Sequence, residues 1–312
     1  MNSPKLTVIP VPGPGAEDVV VATQGPDQGA VFTGTEDGGI WRVSPDGARV
    51  DRVADTGGRP LGIELDLNGR LLVCDAQRGL LRVDPGTGSV EPLADSVAGV
   101  RMLFCNNAAV AADGTAWFSD SSRKYAIDNW RGDIATATRT GRLLRRDLDG
   151  TITTVLDGLD FANGVALAAD ESYVAVAESG ACTVVRHWLT GDRAGTRDFL
   201  VPELPGYPDN IARGSDGLIW VTIASPRVAL ATRIRSGPMW LRRAAAAAPT
   251  RLQPQPVRCL RVQAYDDDGR LVHDLDLPAD DYSFVTGVRE HDGRVWLGSL
   301  QQPAIAFVDL KS

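Results

Sequence analysis

The stretch Leu159-Asp-Phe-Ala-Asn163-Gly-Val-Ala-Leu-Ala-Ala-Asp170 decides how this chain folds, because its pattern recurs. In Tyr207-Pro-Asp209-Asn-Ile-Ala-Arg-Gly-Ser-Asp216 a carboxylate again stands seven residues before an aspartate that opens a turn. Upstream, Asn106 stands in the same relation to Asp113. Three repeats therefore carry an oxygen-bearing side chain at one equivalent position, and a fold that brings equivalent positions together would make them a site.

The repeated unit is a polar turn followed by a short β-rich run that closes on a small or acidic residue, as in Asp113-Gly-Thr-Ala-Trp-Phe-Ser-Asp120. Six copies open at Asp27, Asn68, Asp113, Asp170, Asp216 and Asp292, with spacings of 41, 45, 57, 46 and 76 residues. Further strand signals with Asp-Gly turns lie between the copies. About four short strands per period is typical of a propeller blade.

We therefore predict an all-β fold, a six-bladed β-propeller with a central metal-binding tunnel, as a single domain over residues 1–312. The alternative is a pair of β-sandwiches with coincidental Asp-Gly turns. Two periods are long, and their excess maps to insertions at about 121–140 and 226–256. The second contains an alanine run at 244–248 and predicts a short helix ended by Pro249. We interpret both insertions as lids over a central pocket, with a surface helix as the alternative for the second.

Composition limits the classes of function. The net charge of −8 and the acidic pI argue against a nucleic-acid partner, since phosphate binding needs a basic surface. The N-terminal residues contain no apolar stretch long enough for a signal peptide or a membrane span, so we expect a cytoplasmic protein. The four cysteines form no CxxC pair, and buried free thiols are favoured over a disulfide.

In a propeller, the innermost strands ring one mouth of the central channel, so the side chains of Asn106, Asn163 and Asp209 should converge. Glu17 precedes the first repeat turn by ten residues and falls on the corresponding inner strand if the following turn is longer. Carboxylate and amide oxygens are hard ligands, and they predict one divalent metal ion, Ca²⁺ before Mg²⁺. The alternative is that these residues only cap strands or make turns.

The motifs Phe161-Ala-Asn163-Gly-Val, Glu178-Ser-Gly180 and Leu204-Pro-Gly-Tyr-Pro-Asp-Asn210 resemble the strictosidine synthase-like branch of the senescence marker protein 30/gluconolactonase superfamily. The resemblance extends from about residue 17 to residue 308. It implies a six-bladed propeller with one divalent metal, usually calcium, in the tunnel. By motif, the family's metal ligands fall on Glu17, Asn106, Asn163 and Asp209.

Members of that superfamily include lactonases, arylesterase-like and organophosphate-hydrolysing enzymes, and a condensing branch. The chain departs from the pattern where the family often has Asn-Asp and this sequence has Asn106-Asn107. Thr286 stands at the position that matches the catalytic glutamate of the condensing enzymes, which argues against that chemistry. His187, His273 and His291 do not form the histidine dyad of paraoxonase-like relatives.

We therefore expect a small-molecule hydrolase of lactones or related esters, with calcium polarising the carbonyl group. Asp209 would be a metal ligand and a candidate base or nucleophile. Asn107 and Asn210 are predicted to hydrogen-bond the substrate, and Tyr207 and Trp130 to line its entrance. Two alternatives stay open: a non-hydrolytic condensation, cyclisation or isomerisation, and a binding module with a structural metal.

Overall fold

Six four-stranded antiparallel sheets make up most of the chain in the computed structural model, which describes residues 5–310. The strands of the first three sheets are β2 (Val19–Val21), β3 (Val31–Gly34), β4 (Gly39–Val43) and β5 (Val50–Asp55); β6 (Pro60–Leu65), β7 (Leu71–Asp75), β8 (Gly79–Val83) and β9 (Val90–Ala94); and β12 (Cys105–Val110), β13 (Ala116–Asp120), β14 (Gly141–Arg146) and β15 (Ile152–Leu159).

The fourth and fifth sheets follow the same order along the chain. Their strands are β16 (Ala162–Leu167), β17 (Tyr173–Glu178), β18 (Thr183–Trp188) and β19 (Arg197–Val201); and β20 (Gly206–Arg213), β21 (Ile219–Pro226), β22 (Leu260–Tyr265) and β23 (Leu271–Leu277). The sixth sheet joins both ends of the described chain. It contains β24 (Val285–His291), β25 (Arg294–Ser299), β26 (Ala304–Asp309) and, as its outer strand, β1 (Leu6–Pro10).

The first strand of each sheet faces the axis of a six-bladed propeller. Strands β2, β6, β12, β16, β20 and β24 pack against their neighbours in a closed ring. Pairing of β1 with β26 in an antiparallel register, Leu6 opposite Val308, joins the beginning of the described chain to its last sheet. Closure leaves each blade with neighbours on both faces, which suits its buried apolar strands.

The six predicted repeats coincide with the six blades. Each polar turn leads into the second strand of a sheet, as Asp113 leads into β13 and Asp216 into β21. In the first of these turns Gly114 has φ of +89°, and Asp113 accepts a hydrogen bond from the Thr115 amide at 2.8 Å. The turn chemistry thus fixes where each second strand starts, and the predicted fold class is confirmed.

Both insertions contain helices. The first holds a short 3-10 helix, Ile127–Asn129, and α1 (Trp130–Thr136). The second was expected to form one helix, but it forms two, α2 (Ala229–Ser236) and α3 (Met239–Ala247). Gly237 and Pro238 separate them, because proline disfavours the helical conformation in the residue before it. As predicted, the alanine run is helical, and α3 ends before Pro249.

The three helices pack on one another over one mouth of the channel. The guanidinium of Arg235 in α2 forms an ion pair with Asp160 and donates a hydrogen bond to the carbonyl oxygen of Ile134 in α1 at 2.6 Å. Asn129 accepts a hydrogen bond from the Gly132 amide and so caps α1. We call residues 127–136 and 228–257, which contain these helices, the lid. None of the helices within residues 5–310 has both the length and the apolarity to cross a bilayer.

Smaller elements complete the chain: a hairpin of β10 (Ser96–Val97) and β11 (Val100–Arg101), and 3-10 helices at Gly191–Arg193 and Thr250–Leu252. Apolar side chains fill the spaces between adjacent blades, with Trp220 and Tyr173 among the largest that are fully buried. All four cysteines are free, and three are buried, as the sequence predicted. The single-domain prediction covers residues 1–312, of which 1–4 and 311–312 lie outside the described residues.

The close approach of neighbouring inner strands predicts a large effect for Gly164→Ala in β16. A methyl group built on Gly164 would lie 2.1 Å from the Ile211 amide nitrogen of β20, and backbone atoms cannot move aside. We expect the variant to lose about 1–3 kcal/mol of unfolding free energy or more, measured by urea denaturation. Gly86→Ala is the matched control, because its new methyl group would meet only the Asp84 carboxylate at 3.3 Å. Equal stability of the two variants would contradict this account.

Candidate metal centre

A β-bulge recurs at the pocket end of the inner strands. In β12 the pairing with β13 shifts between Cys105 and Ala108, and in β16 the pairing with β17 shifts between Ala162 and Val165. Equivalent shifts occur in β6 and β20. A bulge re-aims side chains and lets a strand bend. Each of these bulges holds two successive residues that face opposite sides of the strand.

The second residue of each pair lies on the side of the strand that faces the propeller axis. Around the ring of six inner strands, this position is alternately a polar residue and a glycine. The six positions are Asp18, Gly62, Asn107, Gly164, Asn210 and Gly287. A methyl group built on Gly62, Gly164 or Gly287 would lie 2.5, 2.7 or 2.5 Å from the Cα atom of the polar residue on an adjacent inner strand. Only glycine fits at such approaches, and they hold the inner strands at a small radius.

The first residue of each pair faces the lid. Glu17, Asn106, Asn163 and Asp209 all line one pocket at this mouth of the channel, as Leu61 does at the equivalent position of β6. Glu17 was expected on the inner strand of its blade, but it lies two residues before β2, in the segment that leads into that strand. The four residues predicted to converge from separate blades are therefore brought together by the structure.

Hydrogen bonds to serine orient the two amides. The Ser121 hydroxyl donates its proton to the carbonyl oxygen of Ala162 at 2.6 Å, so it accepts a hydrogen bond from Asn106 Nδ2 at 2.9 Å. Asn163 Nδ2 similarly lies 3.1 Å from Ser179 Oγ. Both amide oxygens are thereby turned away from the serines. Asn106 Oδ1, Asn163 Oδ1 and Glu17 Oε2 are buried and accept no hydrogen bond from any described residue.

The two carboxyl groups of the set have raised pKa values. Burial raises the pKa of Glu17 well above its usual range, and the charges of Asp209 and Asp18 raise it further. Burial raises the pKa of Asp209 to about 8, although the Asn163 side chain lowers it and Asp18 raises it. Burial disfavours the charged form of a carboxyl group, so both groups hold protons that a bound cation would displace.

The donor chemistry fits a hard cation. Two carboxylates and two amide oxygens are ligands that calcium accepts, and a buried oxygen without a donor is costly unless an ion or water satisfies it. Within residues 5–310, no three His, Cys, Asp or Glu side chains come together as a metal-ligand group. Half of this donor set is amide, and sulfur and imidazole ligands for zinc or copper are missing from it.

Asp18 lies beneath the donor set, on the axial side of the strands. Its Oδ2 accepts hydrogen bonds from the Ile63 amide and from Asn107 Nδ2, each at 3.1 Å. Burial raises the pKa of Asp18 to about 7, while Arg289 lowers it. Arg289 pairs with Glu64 at 2.8 Å, and both residues line a second cavity at the opposite mouth of the channel. This axial layer separates the two cavities.

The pocket above the donor set is mainly apolar. It encloses about 1020 Å³ counting its open mouth. Blade residues and lid residues both contribute to its walls: Leu61, Phe104, Phe161, Phe284 and Leu300 from the blades, and Ile127, Trp130, Ile134, Val228 and Ile234 from the lid. Phe104 and Phe161 meet edge to face at 5.3 Å between ring centroids. Such a pocket suits an apolar molecule with few polar groups.

Trp130 and Tyr207 lie where the sequence predicted them, in the walls of the pocket. Asn107 and Asn210 do not line it, which differs from the prediction that they contact the substrate. The Asn107 side chain donates to Asp18, and its Oδ1 accepts from the Val165 amide at 2.8 Å. Asn210 is 1% exposed on the same axial side. Alternation along the strand explains the difference, because the neighbour of a pocket-facing residue faces away.

The three histidines lie outside the walls of the pocket. His273 stacks on Trp220 at 5.5 Å between ring centroids, and His187 belongs to the third strand of its blade. Thr286 is fully buried: its hydroxyl donates to the Glu17 carbonyl oxygen at 2.9 Å, and its own carbonyl oxygen accepts from Thr222. It therefore presents no acid to the pocket.

Sequence reasoning missed the two orienting serines and the axial aspartate. A signal for the serines was present, because Ser121 follows Asp120 and Ser179 follows Glu178 at the end of equivalent repeat strands. Asp18 directly follows Glu17, as Asn107 follows Asn106. An adjacent polar pair at this position of the repeat places one side chain in each layer, and that rule would have located Asp18.

Known proteins resemble this chain both in sequence and in fold. The family described as SMP-30/Gluconolactonase/LRE-like region matches residues 22–233. Protein STRICTOSIDINE SYNTHASE-LIKE 10 of Arabidopsis thaliana is 33% identical over 265 residues, covering 81% of this chain and 70% of that protein. The adipocyte plasma membrane-associated protein of Homo sapiens is 32% identical over 310 residues, covering 90% and 73%.

Among solved structures, a gluconolactonase from Xanthomonas campestris superposes with a TM-score of 0.72 at 19% identity, covering 98% of this chain and 89% of that one. A calcium-binding protein, regucalcin, from Agrobacterium tumefaciens gives a TM-score of 0.65 at 13% identity, with coverage of 97% and 92%. At these identities the likeness establishes the propeller fold.

The raised pKa values predict a proton-linked cation site. Calcium titrated into the protein at pH 7 should release protons, seen by calorimetry as a binding heat that depends on the ionisation enthalpy of the buffer. Affinity should increase between pH 6 and pH 9, because the Asp209 carboxyl, with a pKa of about 8, is mostly protonated at the lower value. In the Asp209→Asn variant the proton release should fall. Binding heats that are the same in all buffers would contradict the prediction.

The sign of the stability effect follows from the same groups. Between their ordinary pKa values near 4 and their raised ones, Glu17 and Asp209 hold protons in the folded protein that the unfolded chain has already lost. The ion-free protein should therefore lose stability as pH rises from about 5 to about 8. Calcium should reverse this loss, because it stabilises the ionised carboxylates in the folded state.

Proposed function

Because this chain belongs to the SMP-30/gluconolactonase/LRE-like family, we propose that it is a calcium-dependent hydrolase of lactones or related esters. The observation that carries the proposal is the set of oxygens from Glu17, Asn106, Asn163 and Asp209 at the floor of an apolar pocket, three of them buried without a hydrogen-bond donor. Membership of this family supports a lactonase-like propeller, and calcium-dependent ester hydrolysis is our inference.

Glu17, Asn106, Asn163 and Asp209 would hold the ion. Calcium when bound supplies positive charge that polarises a carbonyl oxygen and stabilises the negative charge that develops on it. Ser121 and Ser179 accept hydrogen bonds from the two amide nitrogens, which would leave both amide oxygens free to bind the ion. Such preorganisation of the donors is what electrostatic catalysis requires.

Asp209 is the candidate base. A neighbouring cation lowers the pKa of a carboxyl group, which would leave an ordinary aspartate too weak a base at neutral pH. Burial raises the pKa of Asp209 to about 8 before any cation binds, so a cation would lower it from a higher starting value than that of an exposed aspartate. The proposal assigns it that role, with the ionised form as the active one.

The apolar walls determine the substrate class. Trp130, Phe161 and Phe284 surround the space above the donor set, so we propose a lactone or ester with a bulky apolar body. The guanidinium carbon of Arg131 lies 4.9 Å from the centroid of the Trp130 ring, and Arg131 lines the same pocket. Its Nε is buried and has no hydrogen-bond partner among the described residues. A negatively charged substituent on the substrate would pair with it.

A second candidate is a non-hydrolytic rearrangement or condensation in the same pocket. The mainly apolar walls favour it, because hydrolysis requires water to reach the carbonyl group. The buried position of Thr286, engaged with the backbone, offers no acid for such a reaction. Product analysis separates the two: hydrolysis adds one water molecule to the substrate mass, whereas an isomerisation adds none.

Loss of Asp209 should abolish hydrolysis. We expect Asp209→Asn to lower kcat/KM by at least about 100-fold, as for removal of a general base, on a panel of lactones and aryl esters. Calcium chelation should have a comparable effect on the wild-type protein while circular dichroism shows the fold unchanged. Asp170→Asn is the control. Asp170 is exposed in the turn between β16 and β17, at the end of β16 that lies away from the pocket. Full activity of Asp209→Asn, or insensitivity to chelation, would refute the hydrolase.

Removal of the apolar wall should change the substrate preference. Trp130→Ala should raise KM for esters with aromatic or long acyl groups by about 10- to 150-fold, because roughly 1.5–3 kcal/mol of buried contact is lost, and should affect acetyl esters less. Trp240→Ala is the matched control, since Trp240 lies on the outer side of the lid. Equal losses for small and bulky esters would show that Trp130 does not contact the apolar body.

A further inference from the structure

The outer face of the lid differs in composition from the rest of the surface. Among the described residues twelve large apolar side chains are exposed, and five of them fall between residues 230 and 257. They are Leu230, Met239, Trp240, Leu252 and Val257. A concentration of this kind in about a tenth of the chain marks an interaction surface rather than ordinary scattered exposure.

The charge of this region is also opposite to that of the whole protein. Residues 217–265 contain eight arginines and no acidic residue, so they contribute +8 to a chain whose net charge is −8, and the remainder carries −16. Arg233, Arg243 and Arg251 are exposed, and none forms an ion pair with a described residue. Arginines elsewhere on the surface commonly do, as Arg49 and Arg270 do with neighbouring aspartates.

Helical geometry places these two kinds of side chain together. In α2 the side chains of Ala231 and Ile234 line the pocket, whereas Leu230, at the edge of that face, is 57% exposed and lies three residues from the exposed Arg233. In α3 Ala245 faces the pocket and Ala246 is buried, whereas Trp240 and Arg243 share the opposite face. Arg251 and Leu252 extend the surface beyond α3. The result is an outward face that combines apolar side chains with unpaired guanidinium groups.

We propose that this outer face of the lid binds the surface of an anionic lipid bilayer. Tryptophan and leucine on a basic helical face are the combination that inserts at the boundary between headgroups and acyl chains, while arginines pair with lipid phosphates. The lid segment also forms one wall of the pocket, through Val228, Ile234 and Ala245. Contact with a bilayer would set the apolar pocket beside the phase in which apolar substrates dissolve.

A bilayer accounts for the features better than a protein partner does. The apolar side chains stand out from two short helices and a following loop instead of lining a groove, with Trp240 71% and Leu252 70% exposed. Acidic side chains, which would confer specificity for one oriented protein, are missing from residues 217–265. A second copy of the chain, with its acidic remainder, is the competing occupant that the experiment must separate.

The test is co-sedimentation of the full calcium-loaded chain with vesicles of phosphatidylglycerol or of phosphatidylcholine. We expect binding to phosphatidylglycerol that weakens with salt, and much weaker binding to phosphatidylcholine. Arg233→Gln, Arg243→Gln and Arg251→Gln should each lower the binding constant about fivefold. The double variant Trp240→Ser, Leu252→Ser should lower it at least about tenfold.

Matched controls lie at the other end of the propeller. Leu148 is 72% exposed in the turn beside Gly114, so Leu148→Ser removes an equally exposed side chain far from the lid. Arg49→Gln is the charge control. Both should bind vesicles as the wild type does. Absence of binding to phosphatidylglycerol, or equal loss in the control variants, would overturn the proposal. It would also fall if sedimentation velocity showed a dimer that the lid double variant abolishes while vesicle binding persists.

Discussion

The close approach of six inner strands around one axis is the constraint on which the site depends. Three of the six inner strands carry a glycine where the next inner strand carries a polar residue that reaches the axis. A Cβ atom at any of these glycines would clash with the backbone of that polar residue. The bulges then accommodate two residues where a regular strand would place one, and alternation sends the first toward the lid and the second toward the axis. Backbone geometry, rather than any local motif, therefore produces two stacked polar layers.

This geometry gathers acidic groups where water is scarce. Asp209 in the upper layer and Asp18 in the lower one raise the pKa of Glu17, and Asp18 raises the pKa of Asp209, in addition to the effect of burial. Among residues 5–310, Arg289 is the cation that lowers the pKa of Asp18 in the lower layer, and its ion pair with Glu64 already uses part of its charge. Buried carboxylates without a paired charge are costly in free energy. The upper layer therefore favours either protons or a bound cation, and its orphaned amide oxygens favour the cation.

The sequence predicted what the repeat period controls. The six blades, the inner position of Asn106, Asn163 and Asp209, and the helical character of the second insertion all follow from local patterns. The axial direction of Asn107 and Asn210 follows from alternation along the inner strand, a signal that the prediction of their substrate contacts did not use. The Gly237-Pro238 pair is a sequence signal for the end of one helix before the next, whereas the alanine run by itself predicts only one helix. The ion pair between Arg235 and Asp160 joins residues 75 apart, beyond any local signal.

Burial couples the specificity of the pocket to its chemistry. The apolar lid and walls that select a bulky substrate also exclude water from the carboxyl groups, and this exclusion is what raises the pKa of Asp209. A lid that opened fully would lower that pKa and screen the charges at the floor, since electrostatic interactions weaken in water. Arg235 opposes such opening through its contacts with Asp160 and with α1. The residues that hold the lid closed therefore also maintain the proton affinity on which the proposed base depends.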